Sequence, residues 1–266
     1  MFRAMTALAV LLFATMQAQA KLEIENVQAA HGLLLPERKT DYFPQDLIFF
    51  RYLITGAKTD GEGRVDCEAV VKLADMAGKV VVTNNVPFKG NLSLGGNAFM
   101  GSAYVVLDND HLPGTYTLSV TVSDVLGSEK TEFRRELKIR PTEFAVVFPR
   151  FSYDPEGKIL APIGGLANQH LYFRLGVIGF DRSFQKADLV SKVQIVDAEG
   201  KELLPKPLET VVKSDDPAVV KATSVANFNG SIGLHRPGDF KLRITITDRI
   251  GQKTTQVEWP LKVTLP

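Results

Sequence analysis

Pro113-Gly114-Thr115-Tyr116-Thr117-Leu118-Ser119-Val120-Thr121-Val122-Ser123-Asp124 recurs 124 residues later as Pro237-Gly238-Asp239-Phe240-Lys241-Leu242-Arg243-Ile244-Thr245-Ile246-Thr247-Asp248. In the first copy Tyr116, Leu118, Val120 and Val122 alternate with Thr115, Thr117, Ser119, Thr121 and Ser123. Successive side chains of a strand point to opposite faces, so this period of two predicts a strand with one buried and one solvated face. His111 and His235 keep the same offset, as do Gly127 and Gly251. Phe133, Leu137 and Ile139 then match Val257, Leu261 and Val263, while Arg135 stands where the second copy has Trp259.

The match extends upstream with a drifting offset, as loop insertions produce in a duplicated unit. Ile48, Phe50, Tyr52, Ile54 and Gly56 align with Leu171, Phe173, Leu175, Val177 and Gly179, and Asp75, Gly78 and Lys79 with Asp197, Gly200 and Lys201. Two units are therefore expected, residues 21–141 and 142–266, divided at Arg140-Pro141-Thr142, where proline interrupts strand pairing. Asp75–Gly78, Asp124–Gly127, Asp197–Gly200 and Asp248–Gly251 separate strand-like runs. Asp suits the first position of a type I turn and Gly the left-handed position after it, so each is expected to close a hairpin. Short alternating strands, turn residues between them and few helix-period stretches predict an all-β chain of two tandem antiparallel β-sandwich domains.

The Pro-Gly-x-aromatic-x-Leu-x-Val-x-Val-x-Asp run resembles the late strands of immunoglobulin-like and fibronectin-type modules of exported bacterial proteins. The resemblance implies adhesion, substrate-binding or spacer roles and carries over no catalytic residues. Neither copy has the paired cysteines of antibody domains.

Residues 1–20 have one positive charge at Arg3, an apolar run from Ala4 to Met16, and Ala18-Gln19-Ala20 before Lys21. This order predicts a signal peptide cleaved after Ala20, with an apolar run too short to span a bilayer. A periplasmic or extracellular product without an integral membrane anchor follows as the expectation. Across the chain, 31 Lys and Arg balance 30 Asp and Glu, which argues against a nucleic-acid partner. The balance conceals a small split: residues 21–141 hold 14 basic and 16 acidic side chains, residues 142–266 hold 16 and 14. Cys67 is the single cysteine, so no intrachain disulfide can form. It reads as a small strand residue, with a bridge to another chain or a reactive thiol as the alternatives.

The common catalytic signatures are missing from the sequence: no His-Glu-x-x-His, no P-loop, no paired cysteines at zinc spacing. Asn229-Gly230-Ser231-Ile232-Gly233 lacks the first glycine and the strand-to-helix context of a nucleophile elbow. His111 and His235, recurring before each Pro-Gly turn, are expected to have a structural role, such as hydrogen-bonding a loop carbonyl, with metal binding or acid–base work as the alternative. Asp108, Asn109 and Asp110 offer closely spaced oxygens of the kind Ca²⁺ takes, although the same residues make a turn. On the face opposite Ile48 and Leu171 stand Phe49 and Arg51, and in the second copy Tyr172 and Arg174. An aromatic beside an Arg in both copies is a candidate recognition stripe, unless each Arg stacks on its neighbour or a loop covers the sheet.

The expected function is an exported, non-catalytic binding or scaffold module of the envelope or extracellular space. It needs no cofactor, and its partner is a protein or glycan of unspecified identity. The alternative is an exported enzyme or enzyme-accessory domain acting on polysaccharide or peptide.

Overall fold

The computed structural model describes residues 21–266; the expected signal peptide, residues 1–20, lies outside them. The described chain is all-β, with fifteen strands, one short α-helix and a single 3-10 turn. The first seven strands are β1 (Glu23–Ala29), β2 (Leu47–Thr55), β3 (Arg64–Ala74), β4 (Val80–Asn91), β5 (Ala98–Val106), β6 (Gly114–Asp124) and β7 (Lys130–Ile139). They form a three-stranded sheet, β1-β2-β5, and a four-stranded sheet, β4-β3-β6-β7, all antiparallel. The chain crosses from one sheet to the other between β2 and β3 and returns between β4 and β5, as in immunoglobulin-like sandwiches.

The later strands are β8 (Ala145–Ser152), β9 (Gly164–Leu166), β10 (Gln169–Ile178), β11 (Ala187–Val196), β12 (Leu208–Ser214), β13 (Ala226–Leu234), β14 (Gly238–Asp248) and β15 (Lys253–Thr264). They repeat the plan as β13-β10-β8 and β12-β11-β14-β15, to which β9 adds a short parallel strand beside β15. Helix α1 (Pro217–Ala222) lies between β12 and β13; Asp216 caps it by accepting from the N–H groups of Ala218 and Val219.

The alternation read from the sequence is the alternation observed. Ile48, Phe50, Tyr52 and Ile54 meet Leu118, Val120 and Val122 in one core; Leu171, Phe173, Leu175 and Val177 meet Leu242, Ile244 and Ile246 in the other. Each large side chain so buried contributes roughly 1.5–3 kcal/mol. Among the described residues no helix is long and apolar enough to cross a membrane.

The four Asp-x-x-Gly units that recur between the copies divide into two kinds. At Asp75 and Asp197 the glycine takes the left-handed position, with Gly78 at φ 79° and Gly200 at φ 87°. At Asp124 and Asp248 that position falls one residue later, on Ser128 (φ 56°) and Gln252 (φ 50°). Glycine is required there for a different reason: a Cβ on Gly127 or Gly251 would lie 2.3 or 2.7 Å from the preceding aspartate's Oδ2. Both carboxylates are buried and fully engaged. Asp124 accepts from the N–H groups of Lys58, Leu126 and Gly127, and Asp248 from those of Asp181, Ile250 and Gly251. Each aspartate thereby ties its hairpin to a loop on the opposite sheet's side of the sandwich.

The two sets of strands share side chains. Leu35, in the segment after β1, sits in the core that contains Phe151 and Trp259. Phe43 packs with Ala145, Val147 and Ile178 in a smaller cluster. The segment carrying both is fixed by a buried ion pair, Arg38 Nη2 to Asp46 Oδ2 at 2.5 Å. The Arg38 guanidinium lies 4.2 Å from the Tyr42 ring centroid and donates to the carbonyls of Thr40 and Asp41.

A candidate ligand-binding groove between the two halves

The outer face of β2 and β5 is apolar at one end. Register places Leu47 opposite Val106 and Phe49 opposite Tyr104, followed by Arg51 opposite Ser102. Over this floor the 31–35 segment and β8 form two walls, enclosing a groove of about 410 Å³. Leu33 and Leu34 line it from one side, and Phe148, Pro149, Arg150 and Leu160 from the other. Leu33, Leu34, Tyr104, Val106 and Leu160 remain between 40 and 48% exposed, so the groove presents a contiguous apolar surface to solvent.

The β8 wall is shaped by a bulge. Val147 pairs with Gly176 and Arg150 with Arg174, leaving Phe148 and Pro149 together opposite Leu175. The first half carries the same device in β1, where Glu25 pairs with Leu53 and Gln28 with Arg51, leaving Asn26 and Val27. Asn26 and Phe148 take nearly the same left-handed backbone, φ 52° and 53°. Asn adopts that conformation readily; a bulky aromatic does so at a cost of about 1–2 kcal/mol. The strained Phe148 packs against the Phe43 cluster and lines the groove.

The copies diverge again two residues on. In the first half, Arg51 donates from Nε to the Gln28 Oε1 at 3.2 Å and from Nη1 to the Leu35 carbonyl at 3.1 Å. In the second half the position of Gln28 is taken by Arg150, which faces Arg174 directly across the strand pair. Like charges in register destabilise a sheet by a few tenths to about 1 kcal/mol. Arg174 donates to the Pro155 carbonyl at 2.8 Å. Among the described residues neither arginine forms an ion pair.

The stripe anticipated from the sequence is therefore not one solvent-facing surface. Phe49 is only 8% exposed because the 31–35 segment covers it, and it forms part of the groove floor. Arg51 is tied to that same segment. Arg174 stands beside the groove, across the strand pair from the lining residue Arg150, whereas Tyr172 lies one pleat along β10, opposite Ser152 and Ser231. Arg150, Phe148, Tyr104 and Val106 were not singled out by sequence. The three-leucine run Leu33-Leu34-Leu35, unusual in a turn-rich segment, was the signal that something packs there.

Asp108, Asn109 and Asp110 fall in the turn between β5 and β6. Ligand atoms of Asp108, Asp110 and His111 approach within 4.8 Å of one another. The Asn109 side-chain oxygen accepts instead from Gln45 Nε2 at 2.9 Å, and His111 Nδ1 accepts the Asp108 N–H at 2.9 Å. His111 thus serves the loop as an acceptor from an amide, not as a donor to a carbonyl. Ser231 lies within β13, away from any strand-to-helix turn.

No protein-family model matches the chain, and no curated protein matches it. Among solved structures it is similar to dimeric latent PorU from Porphyromonas gingivalis, at 13% identity and TM-score 0.40, over 96% of this chain and 21% of that one. The AgI/II polypeptide BspA C-terminal domain of Streptococcus agalactiae matches at 9% identity and TM-score 0.29, over 90% and 100%. Red sea bream transglutaminase matches at 7% identity and TM-score 0.28, over 93% and 32%. The chain spans about a fifth of PorU and a third of the transglutaminase. At these scores the likeness carries no argument about site or activity.

Proposed function

We propose that the protein is an exported, non-catalytic binding module whose ligand occupies the groove between its two halves. The observation that carries this reading is the groove's lining: apolar side chains from both halves, with one imidazole, one phenol and one guanidinium, and no carboxylate, thiol or serine. Such a surface gains from covering its apolar area and offers no nucleophile beside a base. The strained aromatic in the β8 bulge supports it, because unfavourable backbone at a cleft is retained where the geometry serves a site. Export rests on the order of charge, apolar run and small residues in residues 1–20.

The test uses the neutral dye Nile red, whose emission reports an apolar environment. One dye per chain is expected to bind. Val106→Asp and Leu34→Asp, both at exposed positions, are expected to abolish binding while leaving circular dichroism and the melting temperature unchanged. Dye binding that survives both substitutions removes the groove as the site.

A further inference from the structure

We infer that the groove takes a single-chain amphiphile with a carboxylate head, of which a fatty acid is the simplest member. This rests on the reading of the groove as a binding site and names what fills it. The alkyl chain lies on Leu34, Phe49, Val106 and Leu160, and the carboxylate meets Arg150 with Arg174 beside it.

Three observations converge on that ligand. The groove floor is a sheet face, so the groups it offers are the side chains of β2 and β5, whose own amides are engaged between strands. A peptide or sugar laid on it would leave amides or hydroxyls desolvated without partners, whereas an alkyl chain has none to lose. Pro149 carries no N–H to donate, and the end of the outer edge of β8 is already taken, with Ala161 N–H donating to the Phe151 carbonyl and Tyr153 N–H to the Ile159 carbonyl, which weakens capture of an extended peptide by strand addition.

The second observation is the charge at the end of that apolar surface. Arg150 lines the groove and stands in register with Arg174, and neither is neutralised by a carboxylate among the described residues. A guanidinium presents paired N–H groups that match a carboxylate's two oxygens. The third is the internal comparison. The first half satisfies the same cross-strand position with Gln28 and leaves one charge; the second half places two charges there and turns Phe148 into the cleft at a backbone angle suited to Asn. Both departures act on the groove.

The experiment is displacement of Nile red from the protein by dodecanoate, 1-dodecanol and dodecyltrimethylammonium, the two ionic amphiphiles below their micelle concentrations and dodecanol below its solubility limit. Dodecanoate is expected to displace the dye one for one and to bind about tenfold or more tightly than dodecanol, the ratio that a charge-assisted hydrogen bond supplies. The cationic amphiphile is expected to bind weakest. Arg150→Gln is expected to reduce the advantage of dodecanoate over dodecanol to near unity, and Arg174→Gln to reduce it in part, each ratio being taken against that variant's own dye affinity. If dodecanoate and dodecanol compete equally and Arg150→Gln alters neither, the carboxylate ligand is overturned while the groove stands as a site. If neither the dye nor any amphiphile binds, both readings fall.

Discussion

The imidazole of His31 meets the indole of Trp259 edge-on, with ring centroids 6.3 Å apart and planes at 75°. Trp259 packs in turn against Phe151 at 5.7 Å and 87°, so one aromatic chain runs from the segment after β1 into the second core. Arg135, its counterpart in the first copy, is exposed and lies over Phe133 instead.

Burial lowers the His31 pKa from 6.5 to about 4; Arg38 acts in the same sense and Asp46 opposes it. Asp41, Arg140, Glu143 and Glu258 line the adjoining cavity. The folded imidazole stays neutral where the unfolded one would protonate. Its contribution is therefore fully present above pH 6.5 and is lost as pH falls towards 4. The loss is at most about 3 kcal/mol, less whatever screening its exposed edge allows. Denaturant midpoints between pH 7.5 and 4, followed by emission of the single tryptophan, should fall in the native protein and flatten in His31→Phe. Equal slopes in both would show that His31 does not carry the dependence.

Asp124 and Asp248 predict a matched pair of stability losses. Asp124→Ala deprives the N–H groups of Lys58, Leu126 and Gly127 of their acceptor, and Asp248→Ala does the same for Asp181, Ile250 and Gly251. A loss of about 3 kcal/mol or more is expected from each. Gly127→Ala should cost about 2 kcal/mol by forcing the pinned carboxylate aside. Urea unfolding measures all three, and a loss below 1 kcal/mol for Asp124→Ala would mean that water replaces the carboxylate.

Cys67 is buried in the first core beside Tyr52 and Val122, and burial pushes its thiol pKa up to about 11, with Asp124 and Asp66 adding to the rise. It should behave as an apolar side chain. Maleimide labelling of the native protein is expected to be slower by on the order of a thousandfold than in denaturant, because it must await opening of the sandwich. Rapid native labelling, or a disulfide-linked dimer on a non-reducing gel, would contradict this.

At the Asp108–His111 turn, Asn109 and His111 are already committed to protein partners. About 5 mM Ca²⁺ is therefore expected to shift the melting temperature by less than about 1 °C. A rise of several degrees that Asp110→Asn abolishes would instead make the turn a calcium site.

What the sequence disclosed follows from how locally each feature is determined. The alternation of Tyr116, Leu118, Val120 and Val122 reveals both strand and buried face, because period and burial are properties of neighbouring residues. The Asp-x-x-Gly turns were equally visible, although at Gly127 and Gly251 the glycine makes room for a carboxylate and Ser128 and Gln252 take the left-handed turn. The groove was hidden for the opposite reason. Nothing in Phe148-Pro149 announces left-handed backbone, which Gly or Asn would have signalled. Without that bulge, Arg150 cannot be placed across from Arg174. Phe49 reads as solvent-facing until the leucine run 33–35 is known to cover it.

Leu35, 5% exposed within the second core, gives the duplication a direction. A polypeptide ending its first half near Pro141 has every strand of that half's sandwich in hand, but one begun after it lacks a side chain of its own interior. Expressed alone, residues 142–266 carry a leucine-sized void worth about 3 kcal/mol. Residues 21–141 instead expose Leu35 and Phe43, apolar side chains that a folded surface tolerates. During synthesis the amino-terminal half can close before its successor emerges, and the successor is completed by a side chain already waiting for it. The second copy is thus the client of the first, and cutting the chain between them leaves that interior unfinished.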